Sequence, residues 1–477
     1  MSKSPIYYGD SYKYGHSKQY PQNMVDMYDY MSSRGGKYPA TLFVGAQGLI
    51  KQYLTTPVTI QDVEKISKRA ALHGIPFDKE GWLYIVSAHK GFLPIEIKAV
   101  PEGTLIPTGN VLMTIVSTDS QVPWVVGFVE TLLMKIWYPT TIATKSYYVK
   151  QMLLKYGSKD WAKFAYHAFG DRACTSPESA DIAGFAHLSA GFYGTDNFGS
   201  LDYCEQFYNV SEEEPAGYSV YATEHSTTTS HTKKEEEAFV YKQLLDNPDK
   251  PIMSFVADSY DVYNFTNFCT ASNSRIRKLI ESRPHQKLVL RPDSGDPIEV
   301  LEDMLDIMEV NKVDVIPGNK ILFKDFSILW GDGITPETIE EILEYFTSKG
   351  FAAENFVFGS GGDLMQKVDR DTQKFAIKCS NITIDEGSSI DTPYQRPIWD
   401  PYYVEVPVFK DPITDPGKKS LKGKIETYIT QDGKFILQDI TQEVEKYNRP
   451  IMKTIFKNGK TLNETSLKQI RNTHENK

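Results

Sequence analysis

A chain of 477 residues, 40% hydrophobic and 24% charged, is longer than one compact core usually holds, so two domains are expected; disorder, a collagen-like repeat and a disulfide scaffold are excluded. The net charge of −10 disfavours nonspecific nucleic-acid binding, which needs clustered Lys and Arg, yet leaves room for small anions held by local charge. Four cysteines without a CxxC pair, no signal-type apolar run at the start, and a most apolar stretch (about 121–138) broken by Glu130 and Lys135 read as a soluble, cytoplasmic protein with reduced thiols and no membrane span.

In chain order, the first 140 residues mix short helices and strands. Ile95-Glu-Ile-Lys-Ala-Val-Pro-Glu-Gly-Thr alternates apolar and polar residues and then turns, the pattern of a half-buried strand. Val125 to Trp137 predicts a helix that is apolar nearly all round, which points to an interface or a deep core. From about 145 to 375 the rhythm changes. Strand-like runs at Lys163–His167, Gly217–Tyr221, Met253–Ala257, Leu288–Arg291, Ile328–Gly331 and Phe356–Gly359 alternate with helical stretches such as Glu235–Leu245, Pro297–Met308 and Pro336–Lys349. Repeated βα units imply a parallel sheet, and six or more strands favour a closed or partly open barrel over a Rossmann sheet. The last hundred residues read as β-rich, with turns at Asp415-Pro-Gly and Asp432-Gly. Lys418-Lys-Ser-Leu-Lys-Gly-Lys424 is a basic cluster, either a solvated loop or an anion contact. The expected fold is α/β: an irregular (β/α) barrel-like domain over 146–384, and an α+β domain built from 1–145 and completed by the β-rich segment 385–477.

The polar clusters fall straight after strand candidates, where parallel barrels carry their functional loops. Gly359-Ser-Gly-Gly362 ends one strand and precedes a predicted helix. Glycine lets backbone N–H groups approach a phosphate, although a tight turn explains the run equally well. It is neither a Walker loop nor a dinucleotide fingerprint, since no Gly-Lys-Ser/Thr follows and Leu364 stands where a third glycine belongs. Arg370, two turns further on, could reach back. Arg291 and Asp293 sit two apart at a strand end and can project the same way, as phosphate and sugar or Mg²⁺ contacts or as an ion pair. Asp332, in Gly331-Asp-Gly333, adds a third carboxylate. His225 follows Glu224 and precedes a run of hydroxyls; an oriented imidazole serves as acid, base or nucleophile, and Asp258 from the next βα unit can orient it. Phe169, Arg172 and Asp196 together suit a flat heteroaromatic ring beside an anion.

These residues resemble a known family. Gly9-Asp-Ser-Tyr-Lys13, His16-Ser-Lys-Gln-Tyr-Pro21, Leu93 to Gly103, Gly217-Tyr-Ser-Val220, Glu224-His-Ser-Thr227, Asp258-Ser-Tyr-Asp261, Arg291-Pro-Asp-Ser-Gly295, Gly331-Asp-Gly333, Phe358-Gly-Ser-Gly-Gly362 and Phe409-Lys-Asp-Pro412 are similar to the nicotinamide phosphoribosyltransferases over about residues 8 to 462. The resemblance implies transfer of a phosphoribosyl group from 5-phosphoribosyl 1-pyrophosphate to nicotinamide in NAD salvage. It also implies Mg²⁺ held mainly through substrate phosphates, ATP hydrolysis coupled through a phosphohistidine, and a homodimer with active sites at the subunit interface. By position, His225 resembles the phosphorylated histidine and Asp258 its support. Phe169 and Tyr12 of the partner subunit resemble the walls of a ring sandwich, and Asp196 the acceptor for the carboxamide. Arg172, Arg291, Gly361, Gly362 and Arg370 resemble phosphate contacts, Asp293 and Asp332 ribose contacts, and Lys378, Lys410 and Lys418 lysines along the phosphate chain. Asp10, Ser219, Ala222, Ser254 and Gly331 complete the substrate-binding set, and Glu224 joins His225, Asp258 and Asp293 as catalytic.

Four departures bear on pocket shape and ATP coupling. Trp330 stands where a polar residue is expected, and Tyr221 where a small one is. The 381–408 segment, with Thr392-Pro-Tyr-Gln-Arg-Pro-Ile-Trp, is longer than the pattern, and the region around 33–40 is shorter. The rivals are nicotinate phosphoribosyltransferase and a barrel that binds sugar phosphates without transfer. Asp196 argues against the first, because a carboxylate repels an acid; an oriented His225 argues against the second.

Overall fold

The computed structural model describes residues 4–387, 402–415, 418–445 and 447–475. Pro416 and Gly417 of the expected turn, and the stretch Thr392 to Trp399, lie outside them. The chain divides into two compact units, Met1–Thr144 with Gln206–Val210 and Asp369–Lys477, and Lys145–Glu205 with Ser211–Val368. The expected boundary at 384/385 falls later than this division. The reason is the strand Phe375–Asp385, which pairs antiparallel with Met24–Ser33 over almost its whole length and so takes Lys378 into the first unit.

The first unit is built on a seven-stranded antiparallel sheet, in the order 403–407, 375–385, 24–33, 111–117, 95–99, 453–457, 460–461. The alternation read from Ile95 onward is a strand over Ile95–Ala99 whose odd residues are buried. Helix Ile60–His73 shows how local chemistry sets its limits. Thr59 and Asp62 form a capping box, Val63, Ile66 and Ala70 make the buried stripe, and Gly74 ends the helix at φ 79°. The apolar run at 125 is a helix over Val125–Leu133 in which only Glu130 and Thr131 escape burial. It belongs to this unit's core, with Phe128 edge-on to Trp82 at 4.8 Å. It gives way to a 3₁₀ turn at Met134–Ile136, and a further helix runs over Trp137–Leu153.

The second unit holds six parallel strands in the order Tyr166–Ala168, Phe356–Ser360, Phe326–Trp330, Lys287–Arg291, Ile252–Val256, Tyr221–Ala222. The first of them starts later than expected, because Lys163 still caps the short helix Lys159–Ala162. Single parallel bridges, Ala168 to Thr195 and Gly194 to Tyr218, link one edge of this curled sheet to the segment that leads into the other. The result is an irregular α/β barrel. Three of its helices start on the same device: Ser176 before Pro177, Asp296 before Pro297 and Thr335 before Pro336 each accept a backbone N–H, with proline at the first helical position. The helices expected at 235, 297 and 336 run over Thr232–Asp246, Pro297–Val310 and Pro336–Ser348.

Candidate active site

Every strand of the second unit ends in a loop that carries a residue singled out from sequence. After Tyr166–Ala168 comes Phe169, whose N–H donates to the Ser360 carbonyl (2.9 Å). Glycines seat its ring: a Cβ on Gly359 would lie 2.0 Å from Phe169 Cε2, and one on Gly331 3.9 Å from it. Asp196 follows the bridge at Thr195, and its N–H donates to the Ala168 carbonyl (2.9 Å). Its Oδ1 takes His167 Nε2 at 3.0 Å and the Ser219 hydroxyl. Burial pushes the Asp196 carboxyl up, but the His167 hydrogen bond and charge, the Ser219 hydroxyl and the Arg291 charge outweigh it and hold the group below the usual carboxylate value.

Phe169, Asp196, Ser219, Ala222, Ser254 and Arg291 line one cavity of about 540 Å³. Lys250, Pro251, Ile252 and Lys287, from the starting ends of two strands, line it too, so the cavity extends along the barrel interior, which most barrels fill with packed side chains. Two buried donors in it, Arg291 Nε and the Ser254 hydroxyl, have no partner among the described residues. Buried donors are ordinarily satisfied, so these two are the candidates in the cavity for holding a ligand or ordered water.

At the next strand ends, His225 opens the helix His225–Thr229 and its Nε2 lies 3.0 Å from Asp258 Oδ1. The other Asp258 oxygen accepts from Ser294 Oγ at 2.5 Å. Glu224 does not orient His225: its carboxylate accepts from Ser226, and its N–H donates to Thr227 Oγ1. Asp293 sits beside Gly331, where a Cβ would come within 2.7 Å of its carboxylate. Burial raises the Asp293 carboxyl, Asp258 and Asp332 raise it further, and Arg291 and His225 oppose them.

Trp330 is buried, and its indole N–H donates to the Asp332 carbonyl (2.7 Å), so it braces the Gly-Asp-Gly turn from the core. Tyr221 does line the cavity, with its hydroxyl tied to Gln243 (2.7 Å). Gly361 and Gly362 follow their strand as expected, and a Cβ at either would make only ordinary contacts of 3.6 Å or more, so the protein leaves that space open. The helix after them is a single turn, Gly362–Met365, so backbone N–H groups rather than a helix dipole must do any anion binding there. Arg370 is not on that helix; it begins a separate 3₁₀ turn in the first unit, capped by Asp369. Arg172 is exposed and forms no ion pair among the described residues.

The remaining candidates belong to the first unit. Tyr12 lies in the 3₁₀ segment Ser11–Lys18 with its ring 60% exposed, and Asp10 accepts from Thr131 Oγ1 (2.8 Å). Lys378 is half-buried on its strand, and Lys410 and Lys418 are exposed. Among the described residues no group of three or more His, Cys, Asp or Glu side chains could hold a metal ion.

His167 and Ser294 were missed as site residues. His167 had a signal: it precedes Phe169 by two in an extended segment, the spacing used for Arg291 and Asp293.

Comparison with known proteins settles the kinship. A family model described as the N-terminal domain of nicotinamide phosphoribosyltransferase matches residues 5–97, and one described as the nicotinate phosphoribosyltransferase family matches 164–393. A nicotinamide phosphoribosyltransferase of Xanthomonas campestris pv. campestris is 39% identical, with 97% of this chain and 96% of that protein covered. The chain belongs to the nicotinamide phosphoribosyltransferase family. A second nicotinamide phosphoribosyltransferase, from Acinetobacter baylyi, is 28% identical over 98% of this chain and 96% of its own length. Two solved structures share the fold: a nicotinate-nucleotide pyrophosphorylase from Pyrococcus furiosus (TM-score 0.57, 15% identity, 95% of this chain and 90% of that one) and human nicotinic acid phosphoribosyltransferase (TM-score 0.53, 12% identity, 96% and 90%). A curled parallel barrel and an antiparallel unit are thus the architecture this chain shares with those two structures.

Proposed function

We infer that this chain transfers the phosphoribosyl group of 5-phosphoribosyl 1-pyrophosphate to nicotinamide, giving nicotinamide mononucleotide and pyrophosphate in NAD salvage. The observation that carries the choice of ring is Asp196. Its carboxylate, kept ionised by His167, Ser219 and Arg291 at the cavity that Phe169 lines, accepts from a carboxamide and repels a carboxylate. Phe169 supplies one ring wall, and Tyr12 of the partner subunit the other.

Departure of pyrophosphate leaves positive charge on the ribose carbon. Asp293 and Asp332 stabilise it, while the Arg291 guanidinium and the N–H groups of Gly361 and Gly362 hold the phosphates, with Arg172 as a further cation. Mg²⁺ fits as a guest of the phosphates, beside the Asp293 and Asp332 carboxylates, and when bound would neutralise the leaving group. His225, with Nε2 held by Asp258, leaves Nδ1 for a phosphoryl group from ATP. Among the described residues no helix is long and apolar enough to cross a membrane. Cys269 and Cys379 are free thiols, which fits a reducing cytoplasm.

The test is turnover of purified protein with the donor and Mg²⁺ on nicotinamide and on nicotinic acid side by side. Product with nicotinamide is expected; product with nicotinic acid alone would sink the reading. His225→Ala should abolish the stimulation by ATP while leaving nicotinamide binding near its wild-type value, and equal loss of both would make His225 structural.

A further inference from the structure

Lys145 is an unusual lysine. It is 5% exposed, and its ammonium donates to both the carbonyl (2.6 Å) and the carboxylate of Asp363, 218 positions away in the chain. A lysine is rarely buried this far unless it is paired. Asp363 directly follows Gly361 and Gly362, the open turn at the end of strand Phe356–Ser360.

The other side of that turn is fixed by packing. Leu364 and Met365 are fully buried, Met365 Sδ and the Gly361 carbonyl press against Gly170, and the Ser360 carbonyl holds the Phe169 N–H. On the Asp363 side the restraint is the pair of hydrogen bonds from Lys145. An unpaired carboxylate at 363 would also stand next to the atoms that should receive a phosphate, and like charges at such separations repel strongly outside bulk water.

We propose that Lys145 is a positioning residue for the phosphate-binding turn: it pins Asp363 and cancels its charge, so that Gly361 and Gly362 can accept the phosphates of the phosphoribosyl donor or the pyrophosphate product. This rests on the proposed function. Lys145 touches no substrate; it acts through Asp363.

The experiment uses full-length wild type, Lys145→Met, Asp363→Asn and the double variant. It measures pyrophosphate binding by calorimetry and KM for donor and for nicotinamide. Lys145→Met should weaken pyrophosphate and raise donor KM by about tenfold or more, with nicotinamide KM unchanged. Asp363→Asn, which leaves the cation and removes the anion, should shift both in the opposite direction. The double variant should return close to wild type.

Two single variants that both weaken the donor, or a nicotinamide KM that rises in step with donor KM, would overturn the proposal and leave an ordinary buried ion pair. If Lys145→Met does not fold, Asp363→Asn and the double variant decide, and an unchanged Asp363→Asn overturns it. A wild type that neither turns over nor binds pyrophosphate removes the proposed function itself. A wild type that does both, with variants identical to it, removes only the role of Lys145.

Discussion

At Asp196 burial and hydrogen bonding pull in opposite directions, and hydrogen bonding wins because two donors meet one oxygen and a guanidinium lies nearby. The sign of the pH dependence follows. A carboxyl held below its usual value stays charged until the pH falls through that lowered value, so nicotinamide kcat/KM should keep its Asp196 contribution down the acid side and lose it only there. His167→Phe removes the leading stabiliser and leaves burial to push the carboxyl up, so the acid limb should move to higher pH. An acid limb that does not move when His167 is replaced would detach the pair from ring recognition. Asp196→Asn should cost nicotinamide about 1.5–3 kcal/mol of binding, a tenfold to hundredfold rise in KM, without a matching loss for nicotinic acid. Asp258 and Arg291 were legible because each closes a short apolar run, where a polar residue has few other reasons to sit; His225 and Asp196 stand among polar or small residues and were singled out by their company, Glu224 with hydroxyls for the one and Phe169 with Arg172 for the other. Ser294 and the Lys145–Asp363 pair were not. Their meaning lies in a partner tens to hundreds of positions away, which spacing along the chain cannot show.

The strands and helices of the second unit were readable from period and punctuation, since the Ser/Asp/Thr-Pro starts are local chemistry. Their ends were less so. Tyr221–Ala222 is only two residues long, and Gly194 and Tyr218 join the sheet through single bridges, which leave no alternation to read. Gly359 shows what an element end contributes to the site. Read as part of a phosphate loop, it instead clears the space that the Phe169 ring fills. Gly359→Ala would place a Cβ 2.0 Å from Phe169 Cε2 and 2.3 Å from Cδ2, and a ring braced by backbone must turn or shift. The expected cost in stability is that of modest overpacking, about 1–3 kcal/mol. The expected cost in nicotinamide kcat/KM is about tenfold or more, because the ring wall moves. A melting curve and the two kinetic constants check both, and a variant with normal nicotinamide KM would show that Phe169 is not a wall of the ring site.

For the whole molecule, composition and rhythm reached two units, but only strand pairing could assign 369–384 to the first, because Phe375–Asp385 is apolar enough to serve either sheet. The largest step beyond one chain is the proposed dimer. Tyr12 is a large aromatic residue, 60% exposed on a short 3₁₀ segment, the kind of group that a neighbour would cover, and the proposal gives it the second wall of the ring sandwich. If the partner subunit supplies that wall, two variants that are each impaired at subsaturating nicotinamide should complement each other in an assay at that concentration. Tyr12→Ala spoils the wall it lends while its own cavity stays intact; Asp196→Asn spoils its own cavity while its Tyr12 stays intact. In a twofold dimer of one copy of each, one site has both defects and the other has none. Random mixing at equal amounts makes half the dimers mixed, so activity should recover to about a quarter of wild type. Recovery requires subunit exchange, which a brief denaturation and refolding of the mixture ensures and which refolding each variant alone controls for. No recovery, alongside a dimer demonstrated by light scattering, would place both ring walls within one chain.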